Sequence, residues 1–150
     1  PVPGRDAHLM LADQVLTVFE REETAADLDG RLGAELARVH HVLDVLTPAS
    51  VVVLNEVFAS TAVEDARFLG TRVLERLIAA DVPTLLVTFI DELSRLGPAT
   101  VSMVSVVDPD DPTVRTLKVV RRVADGRAYA DALAARYGLG HDQLVERLSR

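Results

Sequence analysis

The sequence predicts an α/β fold with a mostly parallel sheet, helices on both faces, an antiparallel hairpin and a C-terminal helical tail. The apolar runs at residues 51–54 and 84–89 lack alternation, so we expect parallel strands that are buried on both faces. A helical pattern separates them, and a crossover of this length implies a right-handed βαβ unit. Two further strand-like runs, at 100–107 and 114–120, flank the turn-rich segment Asp-Pro-Asp-Asp-Pro at 108–112, which predicts a hairpin.

The first part of the chain predicts a strand, a loop and a helix. Residues 14–20 form the strand candidate, and the charged stretch at 21–29 reads as a loop. Apolar residues then recur at spacings of three and four, as on one face of a helix that ends at Pro48. These residues are Leu32, Leu36, Val39, Leu43 and Leu46.

The second helix is expected to begin at Ser60 and Thr61, because Thr61 and Glu64 have the spacing of a capping box. It ends at the segment 81–83, Asp-Val-Pro. Its apolar stripe consists of Val63, Ala66, Val73, Leu77 and Ala80. Two short helices, at 128–137 and 142–148, form the predicted tail.

Length and composition indicate one domain and limit its partners. The chain has 150 residues and 49% apolar content, enough for a single substantial core. A net charge of −7 argues against a dedicated nucleic-acid surface, which needs clustered Lys and Arg. The chain has no cysteine, which fits a cytoplasmic protein, and its apolar stretches are too short or too interrupted to cross a bilayer.

Asn55 and Glu56 follow directly after the apolar strand at 51–54. Because open α/β sheets bind ligands at the carboxyl ends of their strands, Glu56 is the first candidate for a catalytic carboxylate. The alternative is that the polar pair only marks where the chain leaves the core. No phosphate-binding loop of the form G-x-x-x-x-G-K-[ST] occurs in the sequence, so we expect any such loop to lie upstream of Pro1.

Three segments in this order resemble the ATPase domain of the MutS family of DNA mismatch-repair proteins, a branch of the ABC-type P-loop ATPases. They are Val-Val-Val-Leu-Asn-Glu (51–56) with Ala-Ser-Thr (59–61), Leu-Val-Thr-Phe-Ile-Asp-Glu-Leu (86–93), and Ala-Asp-Gly-Arg-Ala-Tyr-Ala (124–130). The resemblance implies a sheet of the P-loop (ABC-type) ATPase kind, and it covers nearly the whole chain. Residues 1–150 would be the C-terminal part of such a domain.

The resemblance assigns roles at the strand end. Glu56 matches the carboxylate that polarises the water attacking the γ-phosphate of ATP. Asn55 matches the position of the Asp associated with Mg²⁺, where an amide can still accept a hydrogen bond from a metal-bound water. Thr88 and Phe89 follow the next strand, and Phe89 stands where the family has a switch histidine. Phenylalanine cannot hydrogen-bond a phosphate, which puts efficient hydrolysis in question.

Two further segments match positions that face the partner subunit in this family. Ala59, Ser60 and Thr61 align with a loop that meets the partner across the nucleotide; helix capping explains the two hydroxyl residues equally well. Gly30 and Arg31 lie in a weak match to the signature segment, and an ordinary loop-to-helix junction is the alternative.

The resemblance implies an ATP-binding and ATP-hydrolysing dimerisation domain that needs ATP and Mg²⁺, in a protein that binds DNA through other domains. The expected assembly is a homodimer without a membrane partner. A second hypothesis is a non-catalytic interaction module with a degenerate nucleotide site. A third is an unrelated α/β protein, such as a flavodoxin-like regulatory domain, in which Glu56 is incidental.

Overall fold

A computed structural model describes residues 6–19, 30–124, 134–140, 143, 145 and 147. Its strands are β1 (Gln14–Val18), β2 (Ser50–Asn55), β3 (Thr84–Val87), β4 (Met103–Val107) and β5 (Arg115–Arg121). Its helices are α1 (Gly30–Asp44), α2 (Val63–Ala79) and a 3₁₀ helix at Asp91–Arg95. The chain divides into two compact units, Pro1–Leu93 and Ser94–Arg150.

The first unit contains a three-stranded parallel sheet in the order β1-β2-β3. Val15 pairs with Val51 and Val53 pairs with Leu85, which fixes the register of both strand pairs. Helix α1 connects β1 to β2, and α2 connects β2 to β3. The parallel pairing predicted for the βαβ unit of β2, α2 and β3 is therefore confirmed.

Among the described residues, one face of this sheet is buried and the other is largely exposed. Val18, Val52 and Leu54 share a face and are at most 2% exposed. On the opposite face, Val15 is 62% exposed and Leu85 is 58% exposed. The apolar residues of β2 do not alternate with polar ones, but their burial alternates: successive residues are buried and half-buried in turn.

The expected P-loop (ABC-type) ATPase sheet with helices on both faces is therefore wrong for the described residues. The strand order explains why: β1, β2 and β3 follow one another in a single direction. Right-handed crossovers that all advance in one direction place their helices on the same face, and a helix reaches the other face only where the winding reverses. The described strands of the parallel sheet contain no such reversal.

The buried sides of the two helices match the predicted stripes in part. In α1 the buried residues are Glu35, Val39 and Val42, whereas Leu36 is 39% exposed. In α2 the predicted residues Ala66, Val73 and Leu77 are buried, whereas Val63 is 58% exposed. Gly70 and Leu74 are buried beside them. Gly70 allows close packing, because a Cβ atom there would lie 2.8 Å from the Leu93 side chain.

Helix α2 ends in a backbone motif that uses an aspartate where glycine is usual. The N–H of Val82 donates to the Leu77 carbonyl at 3.2 Å, and the N–H of Asp81 donates to the Ile78 carbonyl at 3.0 Å. This is the bonding of a Schellman motif, and Asp81 has the left-handed φ of 54° that it requires. The predicted stop at 81–83 is confirmed.

In the second unit, β4 and β5 form the predicted antiparallel hairpin, with a register irregularity between Val106 and Val107. Asp111 closes a turn in its connector: its carboxylate accepts hydrogen bonds from the Thr113 N–H at 2.9 Å and the Thr113 hydroxyl at 2.6 Å. The pKa of Asp111 is lowered from its ordinary value of 3.8, mainly by the hydroxyl bond and then by the backbone bond.

Part of the predicted organisation lies outside the described residues. This holds for the loop at 21–29, for most of the helical tail at 128–137 and 142–148, and for residues 125–130 of the last family-like segment. Residues 134–136 are helical. No helix within the described residues is long and apolar enough to cross a membrane.

Candidate functional site

The carboxyl ends of β2 and β3 lie side by side at one edge of the parallel sheet. Asn55 pairs with Val87, and the N–H of Glu56 donates to the Val87 carbonyl at 2.9 Å. Glu56 and Thr88, each the first residue beyond its strand, are therefore neighbours at this edge. The structure brings together the two strand ends that the sequence singled out.

Glu56 is exposed and begins the segment 56–61, which we call the β2–α2 loop. The backbone of this loop is strained, since Glu56 has a φ of 51° and Phe58 a φ of 65°. Left-handed backbone costs an L-residue about 1–2 kcal/mol. Such strain persists only where surrounding contacts determine the conformation.

Three kinds of contact fix the conformation of the β2–α2 loop. The Ala59 N–H donates to the Glu56 carbonyl at 3.3 Å, and the Thr61 N–H donates to the Phe58 carbonyl at 3.4 Å. The Phe58 side chain is fully buried. The third contact comes from helix α1, through Glu35.

Glu35 is a buried carboxylate that contacts the β2–α2 loop. It is 3% exposed, and its Oε2 accepts a hydrogen bond from the Phe58 N–H at 2.9 Å and one from the Ser60 hydroxyl at 3.4 Å. Its Oε1 lies 3.7 Å from Nε of Arg31. Burying a carboxylate is costly unless it is hydrogen-bonded or paired, and these contacts compensate that cost.

The predicted capping role of Ser60 and Thr61 is wrong. Helix α2 has Ala62 as its N-cap, with no side-chain capping hydrogen bond. The Ser60 hydroxyl donates to Glu35 instead, and the Thr61 N–H closes a turn within the loop. Ala59 and Ser60 are exposed and Thr61 is half-buried, so part of this segment is accessible to a partner.

The residues after β3 have different environments. The Thr88 hydroxyl accepts a hydrogen bond from the Ile90 N–H at 3.1 Å, which forms a local turn. Phe89 is 55% exposed, although it is a large apolar side chain. Its ring therefore contributes little to the core and lies accessible at the same edge as Glu56.

Gly30 and Arg31 begin helix α1. Gly30 is exposed with a φ of 68°, a conformation that glycine adopts without steric cost. Arg31 is connected to the β2–α2 loop through Glu35, one helical turn further along. Two of the segments that the sequence linked to nucleotide binding, the start of α1 and the β2–α2 loop, are thus connected through one carboxylate.

Asn55, Glu56 and Thr88 supply oxygen atoms of the kind that Mg²⁺ prefers. Magnesium is usually held by one or two carboxylates together with substrate phosphates and water, so this donor set fits a partial magnesium site. Among the described residues, no group of three or more His, Cys, Asp or Glu side chains could hold a metal ion by itself. The fit therefore depends on phosphate oxygens as additional ligands.

Glu35 is the functional candidate that the sequence analysis missed. Helical periodicity alone treats a glutamate as solvent-exposed, and the predicted stripe accordingly passed through Leu32 and Leu36. A usable signal was present nevertheless. Glu35 stands four residues before Val39 and seven before Val42, so the true buried side of α1 carries a carboxylate.

No protein-family model matches the chain, and no curated protein sequence matches it. The case for a function therefore depends on the residues and the geometry described above.

Proposed function

We propose that the chain is an ATP-binding and ATP-hydrolysing dimerisation domain of a MutS-like DNA-binding protein, with Glu56 as the catalytic carboxylate. The observation that carries the proposal is the position of Glu56, exposed directly beyond the central strand β2 and beside the carboxyl end of β3. The ordered motifs at 51–61 and 86–93 point to the same chemistry.

In the proposed reaction, Glu56 accepts a hydrogen bond from the attacking water and orients it toward the γ-phosphate of ATP. An exposed carboxylate suits this role, because it can reach a water molecule without first being released from the core. The backbone bond from Glu56 to Val87 fixes the start of the side chain against β3. Pre-positioning of this kind lowers the entropy cost of reaching the reactive geometry.

Asn55 and Thr88 would contribute neutral oxygen atoms near Mg²⁺, and we propose that Asn55 contacts a metal-bound water. When bound, the metal would neutralise charge on the phosphates. Asn55 brings no negative charge of its own, so we expect weaker magnesium affinity than an aspartate would give. An Asn55→Asp substitution tests this point, because it should lower the Mg²⁺ concentration needed for half-maximal ATP binding.

We further propose that two copies of the protein associate through the exposed parts of residues 59–61 and the start of α1, and that DNA is bound by other domains. We propose a cytoplasmic location on the absence of cysteine. The bound nucleotide would then change the contact between the subunits, and the changed contact would alter the affinity of the protein for DNA.

The second candidate function is a non-catalytic dimerisation module with a degenerate nucleotide site. The specific observation in its favour is Phe89, which is 55% exposed at the site edge and has no hydrogen-bonding group to offer a phosphate.

Equilibrium binding of ATP to the natural full-length protein, with and without Mg²⁺, tests the proposal. Magnesium-dependent binding that increases dimer formation supports both candidate functions, and subsequent release of phosphate separates the first from the second. No binding of ATP at millimolar concentration would refute both.

A further inference from the structure

We propose that Glu35 is a positioning residue, which sets the conformation of the β2–α2 loop and couples it to the start of helix α1. The inference rests on the proposed function, because the residue it positions is Glu56. Glu35 itself is buried and is not proposed to touch the nucleotide.

The first reason is that hydrogen bonds from the β2–α2 loop compensate the burial of the Glu35 carboxylate. The carboxylate is 3% exposed and lies on the same side of α1 as Val39 and Val42, where a carboxylate needs polar partners. Two of these partners, the Phe58 N–H and the Ser60 hydroxyl, belong to the β2–α2 loop. The shorter bond, at 2.9 Å, is the one to the backbone.

The second reason is the strain in that loop. Glu56 and Phe58 both have positive φ angles, and the Phe58 N–H held by Glu35 belongs to one of these two strained residues. Without the carboxylate, a buried N–H would lack its acceptor and the strained backbone would lose a contact that fixes it. Relaxation of Phe58 would displace Glu56, two residues earlier.

The third reason is that the two carboxylate oxygens contact different segments. Oε2 accepts the bonds from the loop, whereas Oε1 faces Arg31 at 3.7 Å in the first turn of α1. A shift of the helix start can therefore be transmitted to the loop through a single rigid group. In the proposed dimer both segments face the partner, so Glu35 would couple subunit contact to the placement of Glu56.

Three substitutions distinguish the effect of the length of the Glu35 side chain from the effect of its charge. Glu35→Gln keeps the length and one acceptor oxygen, Glu35→Asp keeps the charge but is one methylene shorter, and Glu35→Ala removes the group. Glu75→Ala is the matched control, since Glu75 is a helical glutamate with 53% of its side chain exposed and an ion pair to the neighbouring Arg72.

The first readout is steady-state ATP turnover by the natural full-length protein. We expect Glu35→Ala and Glu35→Asp to lower kcat by about 10- to 100-fold, the scale of a 1 Å misplacement, with little change in KM. Glu35→Gln should keep most of the activity, and Glu75→Ala all of it. An unchanged kcat in a folded Glu35→Ala protein would overturn the proposal, as would a loss in Glu35→Gln equal to that in Glu35→Ala.

The second readout does not need activity. Amide hydrogen exchange, followed by NMR in the 150-residue chain, should show loss of protection at Phe58 and Ala59 in Glu35→Ala, with Val52 in the core unchanged. Loss of protection at Val52 to the same extent would show a general core defect and contradict a positioning role. If the unmodified protein fails to turn over ATP, the proposed function fails, whereas the exchange result still decides what Glu35 does to the loop.

Discussion

Truncation of two leucines on opposite faces of the parallel sheet tests whether only one face is covered. Leu54 is 1% exposed on β2 and Leu85 is 58% exposed on β3, and both are converted to alanine. At about 0.8 kcal/mol per buried methyl or methylene group, full burial of the deleted atoms is worth about 2.4 kcal/mol. Leu85 has 100 − 58 = 42% of its surface buried, so Leu85→Ala should cost about 1 kcal/mol.

Leu54→Ala should cost more, because it loses the whole transfer energy and leaves a cavity. We expect about 3–4 kcal/mol, within the range seen for leucine deletions in well-packed cores. The assay is urea unfolding followed at the Val52 amide resonance, which reports on the first unit alone. A difference of about 2 kcal/mol separates the two midpoints by roughly 1 M urea. Equal midpoints would show that both faces are buried and would refute the one-sided arrangement.

Three further predictions follow from local geometry. Asp81→Gly should raise the free energy of unfolding by about 0.5–1 kcal/mol in urea titrations, because glycine adopts the left-handed φ of 54° without strain. Gly70→Ala should lower it by up to about 2 kcal/mol in the same titrations, because the new Cβ would lie 2.8 Å from a methyl group of the buried Leu93, an overpacking cost of about 1–3 kcal/mol that the better helix propensity of alanine offsets by about 1 kcal/mol. Thr113→Val should raise the pKa of Asp111, measured by NMR titration of its carboxyl carbon, because the hydroxyl bond that lowers this pKa is lost.

Each of these predictions has a defined contrary result. A less stable Asp81→Gly protein would mean that the aspartate side chain makes a stabilising contact of its own. Raised stability in Gly70→Ala would mean that Leu93 moves aside freely, so that only the better helix propensity of alanine is seen. An unchanged Asp111 pKa in Thr113→Val would refute the hydroxyl bond as its main cause, and Thr116→Val is the control, because its hydroxyl bonds the Val106 carbonyl instead.

The lowered Asp111 pKa also sets the sign of a pH effect. A carboxyl group whose folded-state pKa is depressed stabilises the fold at pH values above its unfolded-state pKa, here about 3.8. The contribution is lost as the pH falls through the lower folded-state pKa. In Thr113→Val this acid-dependent contribution should shrink, because the folded and unfolded pKa values come closer together.

The strands and their pairing could be predicted from the sequence, because apolar runs and crossover lengths are local properties. The difference in burial between the two faces of the parallel sheet could not be predicted. Val51 and Val53 are as apolar as Val52, so the sequence of β2 carries no sign that one of its faces is half-open. That asymmetry follows from the direction in which the strands are ordered, which depends on contacts between distant segments.

The candidate site was also predictable only in part, because some of its features are local and others depend on contacts between distant segments. The polar residues at the ends of β2 and β3 could be found from the sequence, and parallel pairing brings them to one edge. The spacing of Glu35 from Val39 and Val42 could have indicated its burial, but its role could not be predicted, because its partner at Phe58 is a backbone N–H that no residue pattern identifies. The Ser60 contact was missed because helix capping explained the same hydroxyl locally.

The measurement that tests the central claim most directly is magnesium-dependent ATP turnover by the natural full-length protein, compared with its Glu56→Gln variant. Glutamine keeps the shape of the side chain but cannot act as a carboxylate, so binding and turnover can be separated. We predict that the variant binds ATP as the unmodified protein does and that its turnover falls by at least about 100-fold. Turnover that is equal in the two proteins would contradict the assignment of Glu56 as the catalytic carboxylate.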